Sequence, residues 1–281
     1  MNSSASAAGL GLLSAASWGG ADFAGGVGAR HSPALLVVVS GQILSLILLL
    51  ALCLGMHLAV PGPHDLFYAT LGGFEASLAL AAFYRALAMG PMGLTATLTG
   101  LLTALVPVVF SFFQDGLPTP LTVLGLAMGC AAIWLITHTP STQGQETPPK
   151  ALLLGALAGV GFGAQLILFK MASGDGILWE MTSARAGGVA ALLLFLVAMP
   201  PKAPWRGFWL TGMTAGMLDS LGSLFYIRAT QLGRLDVAAV VGSLYPSGTI
   251  LLAVLVLREW PSRRQMAGMA VALAAVALLS V

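Results

Sequence analysis

Charge is what this sequence has least of. Only 8% of its 281 residues are Asp, Glu, Lys or Arg, against roughly 25% in a soluble domain, while 58% are apolar and the mean hydropathy is +0.93. So few charged side chains cannot cover a water-facing surface of this size; lipid is the solvent that accepts an apolar exterior. The net charge is +2, and no run of Lys or Arg builds a patch able to follow phosphates, which argues against a nucleic-acid partner. The two cysteines, Cys53 and Cys130, sit inside apolar runs, where a thiol packs as a small hydrophobe and no disulfide framework can form. The four histidines, His31, His57, His64 and His138, lie in or beside loops with no second ligand at metal spacing, so no metal is expected. A G-x-x-x-x-G-K-S/T loop is missing, and with it nucleotide hydrolysis. Gly159-Val-Gly161-Phe-Gly163 lies in an apolar run with no strand before it, so it lacks the context of a dinucleotide loop, and no cofactor is implied. No Ser or Cys nucleophile stands near a His within the apolar runs, which leaves no catalytic residue to name. An intramembrane enzyme or a membrane scaffold stands as the alternative class. The first eight residues carry no base, and the apolar run behind them is long enough to be kept as a span.

What is present is a set of long apolar runs. A bilayer core takes about 20 apolar residues per helix. Cutting where Pro, Gly, charge and His gather predicts spans at approximately Leu10–Val27, Ala34–His57, Leu66–Met89, Leu94–Phe113, Leu121–Thr137, Ala151–Met171, Ile177–Met199, Phe208–Leu232, Val237–Leu257 and Gln265–Val281. The polar stretch His138–Lys150, rich in Pro, Thr, Gln and Ser, cannot enter hydrocarbon and falls near the middle of the chain. It reads as a linker, residues 138–150, between a first unit of five helices (1–137) and a second (151–281).

Sliding one unit over the other supports a duplication. Arg85-Ala86 with Gly90 meets Arg228-Ala229 with Gly233, a shift of 228 − 85 = 143. The same shift places Gly73 on Gly216, Ser77 on Ser220, Pro118 on Pro261 and Gly125 on Gly268. A shift of 144 places Gly11 and Gly19 on Gly155 and Gly163, with Trp18 on Phe162. Five helices is an odd number, so the second copy enters the membrane from the opposite side. The expected fold is all-α and integral to the membrane, ten transmembrane helices as two inverted five-helix repeats, an architecture that secondary transporters use. Gly11, Ala15, Gly19 and Gly155, Gly159, Gly163 recur every four residues and lay a smooth groove along one helix face, where helices pack closely.

Ionisable residues inside spans are costly, on the order of 3 kcal/mol at a helix centre, and mark function or an internal partner. Glu75 in the third span and Asp219 in the eighth lie at nearly the same depth, since Asp219 falls on Ala76, beside Glu75. Each is a candidate to bind a proton, to pair with a cationic group of a substrate, or to make a structural ion pair. Arg85 and Arg228 are the evident structural partners, although each stands about one turn before a helix end, where a long side chain can snorkel or cap. Asp22, behind Trp18-Gly19-Gly20, faces a cavity or caps that Gly-rich break. Trp18, Tyr84, Gln165, Tyr226 and Tyr245 are candidates to line a mid-membrane pocket, or else to form interface belts. Pro107 and Pro246 interrupt the fourth and ninth helices, by a kink or at a cavity.

The first copy reads Trp18-Gly19, then Phe83-Tyr84-Arg85-Ala86-Leu87 with Gly90-Pro91, then Leu124-Gly125. The second reads Tyr226-Ile227-Arg228-Ala229, Gly233, Leu244-Tyr245-Pro246, Glu259 and Gly268. In this order, twice over, the chain resembles the EamA-like branch of the drug/metabolite transporter superfamily across essentially its whole length. The resemblance implies a secondary transporter, not an enzyme, with a central cavity between the halves. Many such proteins export amino acids or other metabolites, which makes alternating-access efflux of a small-molecule substrate, with protons as coupling ion, the expected function. The expected setting is the lipid bilayer of a bacterial plasma membrane, as monomer or homodimer. The first copy has Gly116 where Glu259 falls in the second, with Asp115 beside it, so the loop acid has no symmetric counterpart. Asp22 does not match the first-helix glutamate of the small four-helix relatives. Alternate loops collect Arg30, Lys150, Lys202, Arg206, Arg258, Arg263 and Arg264, which by the positive-inside rule are cytoplasmic; the resemblance implies the reverse, cytoplasmic termini.

Overall fold

A computed structural model describes residues 3–115, 120–137, 147–172, 176–201, 207–232 and 245–279. Among them the chain is helical, without a strand. The helices are α1 (Ser3–His31), α2 (Ala34–Gly55), α3 (Pro63–Met89), α4 (Met92–Asp115), α5 (Pro120–Thr137), α6 (Pro149–Ala172), α7 (Ile177–Ala198), α8 (Phe208–Leu232), α9 (Tyr245–Leu252, continued by a π-turn over Ala253–Leu257) and α10 (Arg263–Leu279). Each span read from the sequence falls on one of them. Of the ninth, residues 237–244 lie outside the described residues, as do the linker residues 138–146. The first helix runs on to His31 because nothing between Val27 and Pro33 breaks it, and Pro33, which cannot continue a helix, ends it. The helix α4 continues through Pro107, so that proline does not interrupt it. Pro246 sits in the first described turn of α9, where a missing N–H costs least.

Five of these helices, Ala34–Gly55, Pro63–Met89, Met92–Phe110, Pro149–Ala172 and Ile177–Ala198, are long and apolar enough to cross a membrane. Large apolar side chains such as Ile47, Leu54, Leu153, Leu157, Leu194 and Leu255 point outward, each more than half exposed. A soluble monomer rarely presents so broad an apolar exterior. The helices α1 and α8 spend part of their length on Gly, Ser, Thr and one acid each, and they pack on each other.

Packing follows small residues. The helix α3 lies against α6 and α7, α1 against α8 and α9, α2 against α7 and α8, α4 against α6, and α5 against α10. At the α3–α7 seam the backbone of Gly73 rests on that of Ala184, and Gly188 faces Ser77. At the α2–α8 seam Gly41 meets Gly212 and Gly216 backbone to backbone, and the Ser220 hydroxyl donates to Ser45 at 2.9 Å. The stripe Gly155, Gly159, Gly163 of α6 lies on Thr95, Thr99 and Val106 of α4, while Gly19 of α1 lies on Tyr245, Gly248 and Thr249 of α9. In lipid, close contact of this kind holds a bundle together. The main core joins Val37, Val38, Phe83, Leu87, Met92 and Leu192, and a second cluster joins Leu101, Ala132, Ala272 and Ala275 where α4, α5 and α10 meet.

Candidate functional site

Seven helices bring polar side chains together. Arg185 of α7 donates to the carboxylate of Asp219 on α8, forming an ion pair whose side chains keep 17% and 30% of their surface accessible. The other nitrogen of the same guanidinium donates to Gln42 Oε1 on α2 at 3.3 Å. Asp22 of α1 is within electrostatic range of Asp219, and Tyr84 of α3 senses Asp22, Asp219 and Arg185 together. Tyr245 of α9 also lies in the field of Asp22, and its phenol is in hydrogen-bonding contact with Thr103 of α4. Asp22 and Asp219 are both only half-buried although they stand inside the bundle.

Aromatic rings enclose the charged group. The Trp18 indole donates to Ser223 Oγ at 3.4 Å, and the Ser223 hydroxyl donates in turn to the Asp219 carbonyl at 2.9 Å. Trp18 lies 5.5 Å from the Tyr226 ring and 6.5 Å from that of Tyr245, edge on. A glycine seats each of three rings: Gly222 under Trp18, Gly25 under Tyr84 and Gly100 beside Tyr245. At Gly222 a side chain would begin 2.7 Å from the indole, closer than carbon atoms pack.

Six of the eight residues singled out from the sequence thus share one place: Trp18, Asp22, Tyr84, Asp219, Tyr226 and Tyr245. Glu75 and Gln165 stand apart at the α3–α6 seam. Glu75 lies opposite Gly161, one of its carboxyl oxygens beside the glycine and the other, Oε2, buried with no hydrogen-bond partner. Gln165 is one turn beyond Gly161 on α6, half-buried. Arg85 and Arg228 are not the partners expected of these acids. The cation on Asp219 is Arg185, Glu75 Oε2 has no partner among the described residues, and the side chains of Arg85 and Arg228 are exposed near the ends of their helices. Arg185 and Gln42 were passed over in the sequence, although Arg185 is a charge in the middle of an apolar span and the same cost argument singles it out.

A second polar group ties one end of the bundle. Glu259, behind the π-turn of α9, accepts from Arg30 at 2.5 Å and from the Met92 backbone N–H at the start of α4 at 2.8 Å. Arg30 also donates to the Gly90 carbonyl at 3.4 Å. Arg258 adopts a left-handed backbone conformation, φ 56°, turning the chain so that Glu259 faces these loops.

An apolar exterior around buried charge defines a multi-pass integral membrane protein. Residues 149–281 match the family described as the EamA-like transporter family. That segment, a little under half of the chain, is similar to membrane proteins of the drug/metabolite transporter type. No curated protein is matched by sequence. A solved structure, described only as the crystal structure of a protein, is similar with a TM-score of 0.65 at 20% identity, over 98% of this chain and 98% of its own. That likeness is one of fold.

Proposed function

We infer that the protein is a secondary active transporter made of two five-helix halves of opposite orientation, and that it exports a small metabolite carrying charges of both signs, an amino acid or related compound, by alternating access. The observation that carries this reading is the partly accessible Arg185–Asp219 pair, with Asp22 and three aromatic rings near it, inside an apolar bundle. A site of this kind offers a guanidinium to a substrate carboxylate and two carboxylates to a substrate ammonium.

Repeated contacts support the inverted halves. Gly73 rests on Ala184 and Gly216 on Gly41, and these are the same pair in two copies, because 216 − 73 = 143 and 184 − 41 = 143. Ser77 with Gly188 and Ser220 with Ser45 repeat the relation, since 220 − 77 = 143 and 188 − 45 = 143. Arg185 and Gln42, which bond each other, are also one position seen twice, 185 − 42 = 143. A two-fold axis through the membrane plane would pass between them. The Arg185–Gln42 contact joins the two halves, and in this reading rocking one half on the other exposes the ion cluster to each side in turn. Glu75, with its unpartnered oxygen, is assigned the coupling proton, and the Arg30–Glu259 tie is assigned the closing of one end.

The test is flux into and out of proteoliposomes, with and without a pH gradient, for zwitterionic amino acids, their decarboxylated amines and their amides. Saturable, gradient-dependent movement of the zwitterion, abolished by Arg185→Gln without loss of folding, is the expected result. Preference for the amine over the zwitterion would refute the role of Arg185. Absence of any flux from folded protein would favour an intramembrane enzyme or a scaffold, and a chemically altered compound would identify the enzyme.

A further inference from the structure

A cleft of about 610 Å³ opens near the ends of α1, α3 and α7 and the starts of α2 and α6, away from the ion cluster. Its walls are mainly apolar: Leu78 and Ala82 of α3, Leu154 of α6 and Phe195 of α7. Its rim holds Arg30, His31, Ser32 and Arg85. Two of these cations differ sharply. Arg30 is engaged by Glu259 and the Gly90 carbonyl. Arg85 is exposed and makes no ion pair or hydrogen bond with any described residue. It sits seven residues beyond Leu78 and three beyond Ala82, on one face of α3, so its guanidinium crowns an apolar wall that continues toward the bundle's middle.

Sequence shows the surroundings. This end of the bundle carries Arg30, His31, Lys150, Arg258, Arg263 and Arg264 in or beside its loops, against the single acid Glu259 among the described residues. Glu259 is already committed to Arg30. An uncommitted arginine above an apolar trough, at a basic membrane face, has the complement of a phosphate carried on an acyl chain. Basic pockets between transmembrane helices bind anionic headgroups in this way, and guanidinium holds phosphate by paired, charge-assisted hydrogen bonds.

We propose that this cleft binds an anionic phospholipid, its phosphate on Arg85 with His31 at the rim and one acyl chain along Leu78, Ala82 and Phe195. Bound there, the lipid would touch the last turn of α1, which carries Arg30, and so would brace the tied end of the bundle. The proposal is independent of the transported substrate.

The experiment uses the full-length protein in an uncharged detergent, with thermal unfolding and native mass spectrometry as readouts. The probes are phosphatidylglycerol, phosphatidylcholine and glycerol 3-phosphate. Phosphatidylglycerol is expected to raise the unfolding midpoint and to remain bound, whereas phosphatidylcholine is expected to do neither. Arg85→Ala is expected to weaken phosphatidylglycerol binding on the order of tenfold, the loss of one charge-assisted contact. Ala82→Trp, which fills the trough and leaves every arginine in place, is expected to weaken it as well. Arg264→Ala, a change at the same basic face outside the cleft, is expected to leave it unchanged. Equal binding of phosphatidylcholine, or equal loss in Arg264→Ala, would overturn the proposal. Stabilisation by glycerol 3-phosphate as strong as that by the lipid would also overturn it and assign the site to a soluble phosphate ester.

Discussion

Removing Arg185 should cost more stability than removing the charge of Asp219, although the two form one ion pair. An exposed pair is worth about 1 kcal/mol or less, whereas deleting one partner of a buried pair costs roughly 3–5 kcal/mol. With 17% and 30% of the side-chain surfaces accessible, this pair falls between the limits. Arg185→Gln should therefore cost about 2 kcal/mol, because it leaves Asp219 without its cation and still in the field of Asp22. Asp219→Asn should cost about 1 kcal/mol, since the asparagine oxygen can still accept from Arg185 and the guanidinium keeps its bond to Gln42. The double variant removes both charges, so the cycle should show a coupling of about 1–2 kcal/mol. Adding Asp22→Asn to Arg185→Gln should recover part of the loss. Unfolding in a graded SDS titration, followed by tryptophan fluorescence, measures each value. Additivity within about 0.5 kcal/mol, or a costlier Asp219→Asn, would refute the arrangement of one cation on Asp219 with a second acid, Asp22, nearby.

Gly73→Ala and Gly216→Ala each place a methyl group against the backbone of a facing helix and should destabilise by about 1–3 kcal/mol. Gly55→Ala, with nothing within 4 Å, should be neutral or mildly stabilising; the same titration separates them. Glu259→Ala removes the acceptor of both Arg30 and Met92, so a single cysteine placed at Ala88 should react faster with a soluble maleimide than it does in Glu259→Gln, which keeps an acceptor. Such labelling needs exposed Cys130 replaced, while buried Cys53 can stay. Gly161→Ala sets a methyl 2.5 Å from Glu75 Oε1, and should reduce gradient-driven flux more than equilibrium exchange. An equal reduction of both would separate Glu75 from coupling.

Much of this was legible in the chain itself. An 8% charge content leaves no surface for water, so the class of protein followed from composition. The spacing of Pro, Gly and charge placed the helices, because a span must be apolar over the bilayer's width. The offset of 143 named Gly73 and Gly216 as equivalent before either had a neighbour. Depth was legible too, since Glu75 and Asp219 stand at nearly the same level of their helices.

What the sequence did not determine was direction around the helix axis. Asp219 falls one position beyond the equivalent of Glu75, and one residue turns a helix by about 100°. Leu218, which the offset of 143 sets on Glu75, lies beside Gly20 of α1, as Glu75 lies beside Gly161 of α6. Asp219 is rotated away, toward α7, where Arg185 waits 34 residues back in the chain. Pairing therefore depended on which helices met and at what rotation. Those are set by backbone contacts at Gly41, Gly73, Gly212 and Gly216, and a contact between two backbones leaves no sign in either sequence alone. The charges were readable one by one; only the packed bundle decided which of them share a space and which, like Glu75 Oε2 and Arg85, stand without a partner among the described residues.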